Sequence, residues 1–238
     1  MLAPLVRKLE QLSPLGAGDR DALFALPHKV RKVPAGAHLV RDGDRVEHVT
    51  GLLSGFAFRH KLTGEGARQI VSLHMRGDFV DLQNSFLEFA DHHVQTLTEA
   101  EVVTIPSQAA HDLALRRPAI GRAMWIDTLI DGSVFREWVV NVGRRDSMTR
   151  IAHLLCEFSL RLQAAGLANG HSYRLPMTQE QLADSTGLTS VHVNRVLKSL
   201  DESGLIRREG RSLTIEDWDR MAEVGDFNSR YLHQIQAG

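Results

Sequence analysis

The chain has 238 residues, 43% of them apolar and 24% charged, and a formal net charge of −1. This is ordinary globular composition, enough for one large domain or two modest ones, and it excludes a disordered chain. No apolar run reaches the roughly 18 residues of a membrane span, and MLAPLVRKLEQLSPLG lacks the long apolar stretch of a secretory leader. A membrane protein is thereby excluded, and the cytoplasm is the expected compartment. The lone cysteine, Cys156, excludes an intramolecular disulfide and a four-thiolate iron–sulfur cluster. It lies in the apolar stretch IAHLLCEF and reads as a buried small hydrophobe rather than a redox thiol.

Taken in order, residues 4–26 predict short helices, with Leu5, Leu9 and Leu12 at helical spacing and then Leu23 and Leu26. From 29 to 106 short apolar stretches alternate with turn signals: Pro34-Ala-Gly36, Asp42-Gly-Asp44, Gly51, Gly55, Thr63-Gly-Glu-Gly66 and Arg76-Gly-Asp78. Turns every 8–12 residues or about that argue for an antiparallel β-sandwich or barrel, with a hairpin around TGEG. Residues 107–145 return to helix. Pro118 fits a first helical turn, and the run from Ala119 to Arg145 is long enough to span roughly 40 Å. Met124, Ile130, Val134 and Trp138 form its apolar stripe, which Asp127 and Asp131 interrupt. A helix of this length after a β-domain predicts a partner helix, hence a homodimer through that stripe. Ser147 is expected to cap the next helix, whose inner face is Ile151, Leu154, Leu155, Phe158 and Leu162. The predicted organisation is residues 1–116, 117–145 and 146–238.

The segment MTQEQLADSTGLTSVHVNRVLKSLDESGLIRREGRSLTI carries the function. Thr178 and Gln181 make a capping box. Ala183 is small enough for two helices to approach closely, and Gly187 supplies the tight turn between them. Thr189 caps a second helix with an apolar face of Val193, Val196, Leu197 and Leu200. That leaves Ser190, Val191, Asn194 and Arg195 on the other face near the helix N-terminus, where a recognition helix reaches base edges. Arginine pairs bidentately with guanine and asparagine with adenine, and valine meets a thymine methyl. Thr178, Gln179, Thr189, His192 and Lys198 complete the expected DNA surface, with His192 and Lys198 as phosphate contacts that position rather than specify. RREGRSLTI forms a hairpin wing with Arg208 and Arg211 at its tip, and Glu216 starts another helix. Between Arg195 and Arg211 five basic residues face three acidic ones, a local basic surface on a nearly neutral chain. Double-stranded DNA is the predicted partner.

With these motifs in place, nearly the whole chain resembles the Crp–Fnr family of bacterial transcription regulators. VPAGAHLVRDGDRVEHVTGLLSGFAF resembles the start of the family's cyclic-nucleotide-binding-type β-roll, GDFVDLQ its Gly-Glu segment, and VQTLTEAEVVTI its closing strands. The long helix resembles the dimerisation helix, and DSMTRIAHLLCEF and QEQLADSTGLTSVHVNRVLKSLDESGLI the C-terminal domain. The resemblance implies an α+β protein: an N-terminal antiparallel β-roll, a long dimerisation helix and a C-terminal winged helix-turn-helix. It further implies a homodimer on a two-fold symmetric operator, with RNA polymerase as a partner. Members that bind cyclic AMP use a glutamate for the ribose and an Arg-Ser pair for the phosphate. Here Asp78 stands near the glutamate position and Ala90-Asp91 where Arg-Ser would be. An aspartate facing a phosphate repels it by about 4 kcal/mol at 4 Å and an effective dielectric near 20. Cyclic AMP is therefore not expected.

No cofactor, metal ligand or catalytic residue is assigned. An effector pocket, if the β-roll keeps one, would be lined by Asp78, Phe79, Leu82, Asp91 and His93. The twelve histidines leave two alternatives open: a regulator gated by haem or another small ligand in the β-roll, and a cupin-like metalloprotein with an appended DNA-binding domain. Against the second, a cupin-type site needs His-x-His on one strand face, and adjacent His92 and His93 point apart.

Overall fold

The computed structural model describes residues 2–234. The chain begins with helices α1 (Ala3–Leu12) and α2 (Ala17–Phe24). Pro4 sits in the first turn of α1, where its missing N–H costs nothing, and Leu5, Val6 and Leu9 turn inward at helical spacing. Strands β1 (Lys29–Val33), β2 (His38–Val40), β3 (His48–Ser54), β4 (Ala57–Leu62), β5 (Arg68–His74), β6 (His93–Thr96) and β7 (Ala100–Pro106) follow, with a 3-10 helix over Leu82–Phe86. They form two sheets in the orders β1-β7-β3 and β2-β6-β4-β5. Alternation along the strands puts Val33, Leu52, Val94 and Val102 into one core cluster. This is the expected β-roll, and the TGEG stretch is the turn between β4 and β5. A second apolar cluster joins α1 and α2 to Phe79, Leu82, Val103, α3 (Ser107–Arg116) and the first turns of α4 (Pro118–Arg144). Arg117, with φ −127° and ψ 85°, separates α3 from α4, because the residue before a proline is kept out of the helical region. Among the described residues no helix is long and apolar enough to cross a membrane.

The chain divides into two compact units, Met1–Lys61 with Ser72–Gly132, and Leu62–Val71 with Ser133–Gly238. The division falls inside α4. In the first unit Ile120, Ala123 and Met124 are buried in the second cluster. Asp127 is buried 3.0 Å from the Lys8 ammonium, and Asp131, one turn on, accepts from Arg59 Nη1 at 2.8 Å. In the second unit Val134 and Trp138 are buried, and the Trp138 Nε1–H donates to Glu157 at 2.9 Å. The expected partner-facing stripe is thereby corrected. Met124, Val134 and Trp138 are buried within their own chain, and Ile130 is half-buried. The large apolar side chains that α4 leaves exposed are Trp125, Leu129, Phe135, Val139 and Val140, with Trp125 66% exposed. α4 is apolar on two faces, and a 3.6-residue period fits either. The pairing of Asp127 and Asp131 decides which face turns inward.

In the second unit α5 spans Ser147–Ala164. Its N-cap is Asp146 rather than Ser147: the Asp146 carboxylate accepts from the Thr149 N–H at 2.9 Å. A carboxylate makes the cap bond and also meets the positive helix end, which a hydroxyl cannot do. Cys156 is fully buried on this helix, and burial pushes its thiol up to about 12, so it stays protonated and inert. Then come β8 (Ser172–Arg174), α6 (Gln179–Thr186), α7 (Ser190–Glu202), β9 (Ile206–Glu209), β10 (Ser212–Ile215) and α8 (Trp218–Val224), with the strands in the order β8-β10-β9. α8 starts after Asp217, which caps it from the Arg220 N–H at 3.1 Å, so Glu216 stays outside the helix. Arg68 on β5 meets Asp184 on α6 at 2.7 Å and ties the Leu62–Val71 segment into this unit.

A buried carboxylate organises the far end of the chain. Glu157 is 1% exposed and accepts from Trp138, from the Tyr231 hydroxyl at 2.8 Å and from Arg161 at 3.2 Å. Beside it His153 donates Nδ1–H to the Gly225 carbonyl at 3.0 Å. Gly225 lies so close that a Cβ there would stand 2.9 Å from the His153 backbone nitrogen. Glu157→Ala leaves the buried Trp138 N–H without its acceptor and takes one acceptor from Arg161. It should lower the free energy of urea unfolding by about 3 kcal/mol or more, with Glu157→Gln losing less because one acceptor remains. A loss under about 1 kcal/mol, the range of an exposed pair, would mean that the network does not hold this end together.

Candidate nucleic-acid interface

Local chemistry builds the helix pair. The Thr178 hydroxyl accepts from the Gln181 N–H at 3.2 Å, and the Gln181 side chain accepts from the Thr178 N–H at 2.8 Å, which is the expected capping box. α6 buries Leu182 and Ala183. Gly187 ends it at φ 64° and ψ 36°, a left-handed conformation that suits only glycine at little cost. Arg150 of α5 donates to the Thr186 carbonyl at 3.0 Å and satisfies one of the acceptors that a helix end leaves open. Thr189 caps α7 from the His192 N–H at 3.3 Å. α7 buries Val193, Val196, Leu197 and Leu200. Its opposite face carries Ser190, Val191, Asn194, Arg195 and Lys198, all exposed, with Val191 70% exposed. Thr178, Gln179 and Thr189 are exposed beside them, and His192 is half-buried. Gln179 Nε2 donates to Asn194 Oδ1 at 3.2 Å and joins the two helices on the exposed side.

The basic run is less free than its sequence suggests. Lys198 lies 3.5 Å from Glu202, Arg207 lies 2.7 Å from Glu216, and Arg208 turns back toward Asp201 at 3.9 Å. Arg208 is half-buried, whereas Arg211 is exposed in the turn between β9 and β10. Arg195 makes no ion pair among the described residues. Arg195 and Arg211 are thus the exposed cations of this stretch that have no ion pair among the described residues.

On the sensor side, the five residues expected around a pocket have separate surroundings. Asp78 is buried, and its carboxylate accepts from Lys8 at 2.6 Å and from the Met75 N–H at 2.9 Å. Phe79 and Leu82 belong to the apolar cluster beneath α1. Asp91 points outward, 2.8 Å from His92 Nδ1. His93 on β6 stacks on His60 of β4, ring centroids 5.0 Å apart. Among the described residues no group of three or more His, Cys, Asp or Glu side chains converges as a metal site needs. The groups that do cluster are Lys8 with Asp78 and Asp127, and Arg59 with Asp131 and the Val80 carbonyl at 2.8 Å. Burial alone would pull the Lys8 ammonium down, but Asp127 and Asp78 outweigh it and hold Lys8 above the usual lysine range.

The cyclic nucleotide-binding domain family matches residues 30–117, and the Crp-like helix-turn-helix domain family matches residues 149–224, together more than half of the chain. The transcriptional activator FnrL of Cereibacter sphaeroides is 29% identical over 201 residues, covering 82% of this chain and 80% of that protein. The transcriptional activator Anr of Pseudomonas protegens is 27% identical over 216 residues, covering 91% and 86%. FixK2 from Bradyrhizobium japonicum shares the fold, with a TM-score of 0.77 over 84% of this chain and 98% of that one at 22% identity. The chain belongs to the Crp–Fnr family.

This Crp–Fnr protein is thus a DNA-binding transcription regulator with a cyclic-nucleotide-binding-like domain and a winged helix-turn-helix. Sequence reasoning missed Lys8 and Arg59. Arg59 carried a signal, a charged residue amid the apolar strand FAFRH, and Asp127 and Asp131 carried another in their four-residue spacing. Asp81 is buried, and desolvation pushes its carboxyl up to about 7, although the Thr50 N–H donates to it at 2.7 Å. Between the ordinary carboxylate value near 4 and about 7, folded Asp81 keeps a proton that the unfolded chain has released. Stability therefore falls as pH rises through that window, by at most about 1.4 kcal/mol per unit. Asp81→Asn removes this fall, so the variant should gain on wild type in urea unfolding from pH 4 to pH 7. A difference that stays flat across the window would falsify the placement of that proton.

Proposed function

We propose that this regulator acts as a homodimer on a two-fold symmetric operator, with α7 in the major groove of each half-site, and that it does so without cyclic AMP. The observation that carries the DNA reading is the face of α7. Val193, Val196, Leu197 and Leu200 anchor it inside, which leaves Ser190, Val191, Asn194 and Arg195 turned outward at its N-terminal end. In this reading residues 1–116 form a sensor-like domain, 117–145 the dimerisation helix and 146–238 the DNA-binding domain. Trp125, Leu129, Phe135 and Val139 support self-association: large apolar side chains exposed along one helix mark a surface that a partner covers. Two such helices side by side would bury them and set the spacing of two α7 helices on DNA. Independence from cyclic AMP is supported by the lack of an open anion cradle. Asp78 is closed by Lys8, Asp91 puts a negative charge at the phosphate position, and Arg59 is committed to Asp131. Activation through RNA polymerase follows the names of the relatives.

Selection of bound DNA from a random pool, with and without cyclic AMP, tests the proposal. The expected result is a two-fold symmetric site recovered equally in both conditions. On that site Arg195→Ala should cost about 1–3 kcal/mol and relax preference at one base pair. Equal weakening on every sequence would make Arg195 a phosphate contact. Leu129→Asp, at a position 53% exposed, should convert a particle of twice 26.5 kDa into one of 26.5 kDa by light scattering. A variant that remains dimeric would place the interface elsewhere.

A further inference from the structure

The contact between Gln179 and Asn194 bears on which bases the protein reads. Gln179 is the first residue of α6, set in place by the capping box of Thr178 and Gln181. Asn194 lies on the exposed face of α7, one turn after Ser190 and Val191. The Gln179 amide nitrogen donates to Asn194 Oδ1 at 3.2 Å. An asparagine amide has two faces of opposite hydrogen-bonding sense, an acceptor oxygen and a donor NH2. Left alone, it rotates to suit either kind of base edge. With one lone pair of its oxygen engaged by Gln179, the amide is held against free rotation, and no hydrogen bond from its NH2 is formed among the described residues.

On the DNA-binding reading above, we propose that Gln179 is a positioning residue that presents the donor side of Asn194 to the groove. The recognition face is then weighted toward donors, with the Ser190 hydroxyl able to serve in either sense. Arg195 donates, Asn194 donates, and Val191 offers an apolar surface. No side chain of that face is left as a free acceptor-only group. Its matching major-groove edge is one of acceptors and methyl groups. Guanine supplies O6 and N7, and thymine supplies O4 and a C5 methyl, whereas cytosine presents only its N4 donor. The half-site touched by α7 is therefore rich in guanine and thymine on the facing strand, and cytosine is rejected at the base that Asn194 meets.

The experiment is pool selection with full-length wild type, Asn194→Ala, Gln179→Ala and Gln179→Glu. Asn194→Ala identifies the base pair that Asn194 reads. Gln179→Ala should lose most of the discrimination against cytosine there, roughly tenfold, the worth of one hydrogen bond in a specific complex, while the base pair read by Arg195 is unchanged. Gln179→Glu gives the sharper result. A glutamate only accepts, so it draws the Asn194 NH2 toward itself and turns the oxygen to the groove. Cytosine at that base should then be admitted over guanine, a reversal that a loss of folding or of general affinity does not produce. Wild-type discrimination retained by Gln179→Ala, or a uniform weakening on all sequences as for a phosphate contact, overturns the proposal and leaves the DNA-binding reading standing. A wild type that selects no sequence at all overturns both.

Discussion

The two carboxylates on the inner face of α4 are the constraint from which much else in the first unit follows. A charge taken out of water is costly unless it meets an opposite charge in good geometry. Asp127 and Asp131 stand one helical turn apart and meet Lys8 of α1 and Arg59 of β4. The 3.6-residue period allows α4 to face inward with either of two apolar stripes, and hydrophobicity hardly distinguishes them. Only one of the two places the aspartates where cations are available. That choice buries Ile120 and Met124 and leaves Trp125 and Leu129 outside. An ionic contact, weak as a source of net stability, thus sets the register of an apolar helix. Buried polar groups are known to specify arrangements more than they stabilise them.

The same pairs determine what the sensor side can do. In relatives that bind a cyclic nucleotide, the resemblance implies a glutamate and an arginine held open for the ligand. In this chain the aspartate near that position shares Lys8 with Asp127, and the buried guanidinium of Arg59 is held between Asp131 and the Val80 carbonyl. An incoming phosphate would have to break an ion pair already formed and would leave a carboxylate unpaired. Breaking such a pair from one side costs about 3–5 kcal/mol, comparable to the whole affinity of a weak ligand. The fold of a nucleotide sensor is retained, while its charged groups satisfy one another.

How much of this was legible in the sequence depends on how local the rule is. The helix-turn-helix was legible in detail, because a capping box, a small residue at the crossing and a glycine in a left-handed turn each involve residues within three or four positions. The β-roll was legible from turn spacing. The cap of α5 was displaced by one residue because Asp146 and Ser147 are both capable caps, and the helix end's charge decides between them. The α4 stripe was not legible. Its deciding contacts reach from Asp131 to Arg59 across 72 residues and from Asp127 back to Lys8 near the start of the chain. The surroundings of Asp78 were hidden for the same reason: it and its partner Lys8 are 70 residues apart. Nor does counting basic residues reveal that Arg208 folds back on Asp201.

That last point changes the balance of forces expected on DNA. Non-specific binding comes almost wholly from cations that displace counterions at phosphates. Here the chain is nearly neutral, and Lys198, Arg207 and Arg208 each have an acidic neighbour within 4 Å. Exposed pairs of this kind are worth little and can open against a phosphate, but each one lowers the gain from doing so. What remains uncompromised is a small donor surface on α7, with Arg195 at its centre. A single helix with so little electrostatic grip holds DNA poorly. In the homodimer proposed above, a second α7 would gain its contact as an intramolecular event. On the proposed dimer, the exposed apolar side chains of α4 and the restrained charge around α7 would be parts of one arrangement, in which affinity is drawn from dimerisation and base reading instead of from net charge.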